Sequence, residues 1–103
     1  MDIQKYINSQ TKVMLPITSS GIGLSKEQPV IITSEAKHNF IRVQKQYISI
    51  ILNSENWDKM EQSLIYEGDK KIDKITIHQY FNDGVVIERV FWFDITACFG
   101  KLI

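Results

Sequence analysis

Two runs of alternating side chains around Asn82-Asp83-Gly84 constrain the fold of this chain more than any other feature. Residues 72–81 and 85–95 are rich in β-branched and aromatic side chains, which suit the pleated, half-buried surface of a strand. An Asp-Gly pair between two such runs favours a β-hairpin. The sequence therefore predicts two antiparallel strands joined by a tight turn.

Side-chain alternation selects the length of that turn. A two-residue loop would mix apolar and polar residues on each face, whereas the loop Asn82–Gly84 places Phe81 across from Val85 and Ile77 across from Arg89. A slip of one residue would move every side chain to the other face, so we expect the three-residue loop, with Gly84 in the left-handed region. In this register one face of the hairpin is apolar and contains Ile75, Ile77, Phe81, Val85, Ile87, Phe91 and Phe93, with Gln79 and Arg89 as polar exceptions. Arg89 can extend its head to the rim of that face.

The opposite face of the hairpin carries the residues that we consider candidates for binding. In the expected register, His78 lies across from Glu88, and Lys74 lies across from Trp92. Trp and Tyr are enriched at the energetic centres of protein interfaces. The candidate binding residues are Thr76, His78, Tyr80, Glu88 and Trp92. The alternative is that the N-terminal segment or the tail after residue 95 covers Trp92.

Residues 34–52 form the best helix candidate. Their apolar side chains share one broad arc of a helical wheel, with Gln44 as the single polar interruption. These side chains are Phe40, Ile41, Val43, Tyr47, Ile48, Ile50, Ile51 and Leu52. Residues 39–43 also suit a strand, which leaves a rival interpretation at the start of this segment.

Three other segments complete the secondary-structure prediction. Residues 57–67 fit either a helix or a strand, and the turn over residues 68–71 favours an antiparallel strand at residues 60–67. Pro29 opens an apolar run at residues 30–32, which we expect to be the first strand, because Pro is tolerated at the first residue of a strand. Residues 2–10 suit a short helix, while residues 15–28 are punctuated by Pro, Gly and Ser and read as a loop.

The expected fold class is α+β, as a single domain over residues 1–103. An antiparallel meander at residues 60–95, extended to three or four strands, would expose one apolar face. The helix at about residues 34–52 carries the matching apolar stripe and would cover that face. The tail after residue 95 would pack against an edge of the sheet.

Composition excludes several classes of function. The chain has 12 basic and 12 acidic residues, whereas a dedicated nucleic-acid binder depends on an excess of basic residues. No apolar run reaches the roughly 20 residues of a membrane helix, and the first five residues do not resemble a secretion signal. A single cysteine allows no internal disulfide. We therefore expect a cytoplasmic protein without nucleic-acid or membrane partners.

No residue pattern predicts catalysis, a metal or a cofactor. Gly21-Ile22-Gly23 lacks the further residues of a phosphate-binding motif, which favours an ordinary connecting loop. Cys98 lies between Ala97 and Phe99, so a buried thiol is favoured over a nucleophile paired with His78 or His38. His38, His78, Glu88 and Asp94 lack the spacing of zinc ligands.

Two hypotheses for function remain open. The first is a non-enzymatic protein–protein interaction module that binds a protein partner or a second copy of itself, as small antitoxin and immunity-type proteins do. The second is a small-ligand binder or minor enzyme with a pocket under the loop at residues 15–28, which is long enough to be functional. Whether the chain is an enzyme stays undecided, although the first hypothesis is favoured.

Overall fold

The computed structural model of the protein describes residues 15–18, 21–36 and 39–98. Strand β1 spans Val30–Ile31, helix α1 spans Phe40–Leu52, strand β2 spans Trp57–Glu67, strand β3 spans Lys70–Tyr80 and strand β4 spans Val86–Asp94. The four strands form one sheet in the order β1-β4-β3-β2. Strands β2, β3 and β4 pair antiparallel as predicted, and β1 adds to β4 in parallel. The fold is therefore α+β, with a mixed, mostly antiparallel sheet.

The hairpin of β3 and β4 has the predicted register. Gln79 pairs with Ile87 and Ile77 with Arg89, and the Phe81 N–H donates to the Val85 carbonyl. Gly84 has a φ of 85°, so the three-residue loop with a left-handed glycine is confirmed. The Val85 N–H donates to the Asp83 side chain and closes the loop.

Helix α1 begins at Phe40, six residues later than the sequence pattern suggested. Residues Ser34–Ala36 form a separate 3-10 turn. Asn39 precedes the helix with a non-helical backbone and accepts the first helical hydrogen bond from Val43. At its other end, Asn53 adopts the left-handed conformation and caps the helix, its N–H donating to the Ile50 carbonyl. The strand expected to begin at residue 60 instead begins at Trp57, which removes the helical interpretation of residues 57–67.

The core lies between α1 and one face of the sheet, which we call the helix face. Tyr47 is fully buried and meets Phe93 edge to face, with ring centroids 5.7 Å apart. Its hydroxyl donates to the Ile22 carbonyl at 2.6 Å, which fastens the loop before β1 over the core. The buried apolar residues of α1 and the hairpin are Phe40, Val43, Tyr47, Ile48, Ile75, Ile77, Phe91 and Phe93.

The predicted apolar face is buried over only part of its length. Phe81, Val85 and Ile87 belong to the helix face but are 40%, 46% and 39% exposed. Ile41 was expected in the buried arc of α1 and is also exposed, while Gln44, the presumed exception, is buried. The first discrepancy arises because α1 ends before the hairpin does. Gln44 is buried because its side chain has a buried hydrogen-bonding partner, Asp73, on the sheet.

The segment before β1 is a loop with a defined role at the edge of the sheet. Ile17 pairs with Ile32 in an isolated antiparallel bridge, and the Thr33 N–H donates to the Pro16 carbonyl. The predicted helix at residues 2–10 and the end of the tail lie outside the described residues. Within the described part of the chain, no helix has the length and apolar character needed to cross a membrane.

Replacing Gly84 with valine is expected to destabilise the protein by about 1–3 kcal/mol, the usual cost of a strained backbone conformation. No atom lies within 4 Å of the position that a Cβ would occupy, so the loss would come from the backbone alone. Urea denaturation measures it. Gly84→Asn is the control, because asparagine tolerates the left-handed region better and should cost less. A fully stable Gly84→Val protein would contradict the bulged turn.

Candidate functional site

Five large apolar side chains are exposed together at the end of the hairpin. We call Tyr80, Phe81, Val85, Val86 and Ile87 the hairpin tip; their exposed fractions are 37%, 40%, 46%, 50% and 39%. They are five of the ten large apolar residues that are exposed in the described chain. Because exposed apolar side chains are normally scattered, a contiguous group of this kind is typical of an interaction surface.

The tip displays apolar side chains on both faces of the sheet. Phe81, Val85 and Ile87 share the helix face, whereas Tyr80 and Val86 form a cross-strand pair on the opposite face. We call that opposite side the far face. A binding partner that wraps the end of the hairpin could therefore bury apolar surface on both sides of it.

The outer edge of β4 is unpaired along the tip within the described part of the chain. Backbone groups of successive strand residues point to opposite sides. The Trp92 N–H donates to the Gly23 carbonyl at 2.8 Å, and the Asp94 carbonyl accepts from Ile32. The even-numbered residues of β4 therefore point away from β3. By the same alternation, the backbone groups of Val86, Glu88 and Val90 point outward, and no described strand lies beside them.

An open cleft of about 490 Å³ lies beside this edge. The end of α1 and the loop before β1 form one wall, with Leu24, Ile51 and Leu52, and Leu24 is 56% exposed. The opposite wall belongs to the hairpin and includes Phe81 and Phe91. Both walls thus contribute apolar side chains, and Gln79, Glu88 and Arg89 add polar groups on the hairpin side.

Arg89 adds a positive charge to the cleft. Its Nε donates to the Oε1 atom of Gln79 at 2.7 Å, and Gln79 is almost completely buried. The two polar exceptions of the apolar face are therefore bonded to each other. Arg89 makes no ion pair with any described residue, so its terminal nitrogens retain donors for an acidic group.

The candidate binding residues named from the sequence all lie on the far face. Thr76, His78 and Trp92 are half-buried, and Tyr80 and Glu88 are exposed. The His78 Nε2 and Glu88 Oε1 atoms are 3.6 Å apart. The ammonium of Lys74 lies 6.0 Å from the centre of the Trp92 ring. The structure thus brings these residues onto one surface of the sheet.

Asp58 on β2 joins this surface beside Tyr80, a neighbour that sequence reasoning missed. Partial burial, followed by a hydrogen bond to the Asp58 carboxylate and the charge of that group, raises the pKa of Tyr80. Asp58 pairs with His78 across β2 and β3. The far face therefore carries two carboxylates near its single histidine.

A buried polar cluster between α1 and the sheet also escaped sequence reasoning. Gln44 is 1% exposed and Asp73 is 3% exposed. The Nε2 atom of Gln44 donates to the Oδ2 atom of Asp73 at 2.7 Å, and Gln62 donates to the same oxygen. Buried carboxylates need such donors, because desolvation without them is costly. The cluster orients α1 on the sheet.

The remaining candidates for chemistry have structural surroundings. The Gly23 N–H donates to the Gln28 carbonyl and the Gly23 carbonyl accepts from Trp92, so this glycine ties the loop to the sheet. Cys98 is fully buried; burial, followed by the charge of Asp94, raises the pKa of its thiol, against the opposing effect of a backbone hydrogen bond. Across the described ranges, no three His, Cys, Asp or Glu side chains are grouped to hold a metal ion.

A second open depression, of about 560 Å³, lies between the loop before β1 and the turn joining β2 to β3. Its lining is mostly charged and includes Lys26, Glu67, Asp69 and Lys70. Lys26 and Glu67 are 3.4 Å apart across its mouth. The depression lacks the apolar walls and converging donors that small-molecule sites usually have.

Comparisons of this chain with protein-family models, with curated proteins and with solved structures gave no match.

We expect Asp73→Leu to destabilise the protein by about 1–3 kcal/mol, because the buried Gln44 amide loses its acceptor. The double variant Gln44→Leu, Asp73→Leu should lose less than the sum of the two single variants, since both polar partners are then replaced. Urea denaturation of the four proteins gives the coupling energy. Gln46→Leu, on the exposed side of α1, is the control and should change stability by less than about 0.5 kcal/mol. Strict additivity would contradict a coupled cluster.

Cys98 should react slowly with a thiol reagent in the native protein and quickly in denaturant, because it is buried and the thiolate is the reactive form. Since the pKa of the thiol is raised, less thiolate is present at neutral pH and the native rate should increase as the pH rises. Absorbance of the released chromophore follows the reaction. Rapid labelling at pH 7 would show that the thiol is accessible and activated.

Proposed function

We propose that this chain is a non-enzymatic protein–protein interaction module and that the hairpin tip is its principal binding surface. The observation that carries the proposal is the exposure of five large apolar side chains at one end of a sheet whose core is otherwise well buried. Leaving such a surface in water is unfavourable, whereas burying it against a partner gains about 25 cal/mol per Å². The open cleft beside β4 extends the same surface.

The chemistry of the tip favours protein as the partner. Its side chains combine an aromatic and aliphatic centre with charged residues at the rim, Glu88 and Arg89. Protein interfaces have this arrangement of an apolar core and a polar rim. The balanced charge of the chain fits a protein partner better than a nucleic acid. We further propose a cytoplasmic location, on the basis of the single cysteine.

Site-specific crosslinking tests the binding surface. A photoreactive benzoylphenylalanine replaces Val85 in one protein and Ile41 in another, and each is expressed in cells of the source organism. Both positions are 46% exposed, so they differ in location and not in accessibility. We expect discrete crosslinked adducts from position 85 that are absent from position 41.

Two outcomes would contradict this assignment. Absence of adducts from position 85 would remove the tip as a binding surface. Identical adducts from both positions would indicate random encounters, because the Ile41 side of α1 lies away from the tip. Circular dichroism of both purified proteins establishes that each is folded.

The far face supports a second, related candidate: association with a second copy of the chain. Trp92, half-buried beside Val90, offers apolar surface, and Lys74 and the His78–Glu88 pair surround it with charge. A symmetric dimer would cover this surface with the same surface of its partner. The exposed pair contributes modestly, about 0.2–1 kcal/mol, so the indole would dominate the interaction.

We expect Trp92→Ala to keep its fold and to lose self-association. Circular dichroism reports the fold, and sedimentation velocity over a range of concentrations reports the association. Loss of folded structure would show that Trp92 belongs to the core. Unchanged association would place the contact between copies elsewhere.

A further inference from the structure

We infer that the outer edge of β4 binds an extended peptide segment of another protein as an added strand, with an acidic side chain of that peptide at Arg89. This inference rests on the proposed function, because it names the partner of the same surface. It follows from three independent properties of the site: backbone groups, shape and charge.

The backbone groups at the edge are arranged for strand addition. Val86, Glu88 and Val90 point outward, and the next outward residue, Trp92, already bonds to the Gly23 carbonyl. Hydrogen bonds from β1 and Gly23 therefore cover the outer edge of β4 only as far as Trp92. The edge from Val86 to Val90 stays unpaired among the described residues, over about 13 Å at ~3.3 Å per residue. Unpaired edges of this kind are templates for another strand, and peptide recognition by strand addition uses them.

The cleft supplies the contact for side chains. A strand added to β4 would place alternate side chains on the helix face. There they would enter the space between Leu24, Ile51 and Leu52 on one side and Phe91 on the other. The peptide should therefore carry apolar residues at alternate positions.

The positive charge of Arg89 favours an acidic residue in the peptide. Arg89 lines the cleft and has no ion-pair partner in the described chain. A carboxylate on the peptide would supply that partner at the helix face, where Gln79 already holds the guanidinium through its Nε atom. An acidic residue flanked by apolar residues is thus the expected sequence pattern.

A second copy of the chain fits this edge poorly. In an antiparallel pair of identical edges that uses all three outward residues, the symmetry axis must pass at Glu88. Glu88 would then face Glu88, and like charges directly opposite each other destabilise a strand pair. The occupant is therefore a different chain.

A linear octapeptide library displayed on phage, selected on the intact protein, tests the inference. We expect selected peptides with alternating apolar residues and at least one Asp or Glu. On addition of a synthesised, selected peptide, hydrogen exchange measured by NMR should slow at least about tenfold at the amides of Val86, Glu88 and Val90. The amides of Ile87 and Arg89 should change much less, because they point towards β3.

Matched variants separate the contributions of charge and backbone. Arg89→Gln should weaken binding of the acidic peptide about tenfold. It should leave unchanged the binding of the peptide in which Asp is replaced by Asn, or Glu by Gln. Arg42→Gln, which removes an exposed arginine of α1, should not affect binding. Glu88→Pro removes one outward N–H at a strand edge, where proline is tolerated, and should weaken binding about tenfold relative to Glu88→Gln.

Three results would overturn the inference: no peptide is selected, the bound peptide protects amides elsewhere, or the three amides become protected by increasing the concentration of the protein alone. The last result would identify a second copy as the occupant. If any of these occurs while position 85 still gives discrete crosslinks, the interaction module stands and strand addition alone is wrong. Loss of both would remove the proposed function itself.

Discussion

The pairing of Phe81 with Val85 across a three-residue loop determines most of what this molecule presents to its surroundings. In a strand, the direction of a side chain and the direction of the backbone hydrogen-bonding groups are coupled, because both alternate with a period of two. The loop therefore fixes two properties together. It places Ile77 and Phe91 under α1, and it turns the backbone groups of the even-numbered residues of β4 towards the edge. With a loop shorter by one residue, the apolar side chains of one strand would point to the helix face and those of its partner strand would point away from it.

A mismatch in length between α1 and the hairpin exposes the part of the tip that lies on the helix face. The 13 residues of α1 span about 20 Å at 1.5 Å per residue, whereas the 11 residues of β3 span about 36 Å at ~3.3 Å per residue. The Gln44–Asp73 bond anchors the first half of α1 near the start of β3. The helix therefore ends before it reaches Phe81, and the last third of the apolar face has no cover from α1. The exposure of Phe81, Val85 and Ile87 on the helix face, and the cleft beside them, are consequences of this one mismatch.

The sequence predicted the sheet better than it predicted the site. The hairpin register and the left-handed Gly84 follow from local alternation, which a sequence displays directly. Burial at the tip depends on where α1 lies on the sheet. The helical pattern does not fix that position, whereas the bond between Gln44 and Asp73 does. Gln44 was predicted to interrupt the buried arc for a related reason. A glutamine can be buried when it has a hydrogen-bonding partner, and the sequence does not show that Asp73 is that partner. The outward edge of β4 could have been derived from the register, but only once the parallel position of β1 was known.

The edge formed by β2 and the part of β4 that β1 leaves uncovered differ in a way that directs a partner to β4. Strand β2 has a register shift between Lys59 and Glu61, and the same stretch carries Asp58 as a further charge. Bulges and charged side chains are the features by which natural sheets prevent unwanted pairing at an edge. The edge of β4 has instead a cleft with apolar side chains on both walls and a single acidic residue, Glu88, which opposes pairing with an identical strand. One edge is thus protected against strands in general, and the other is protected against its own copy while it remains open to a strand of complementary sequence.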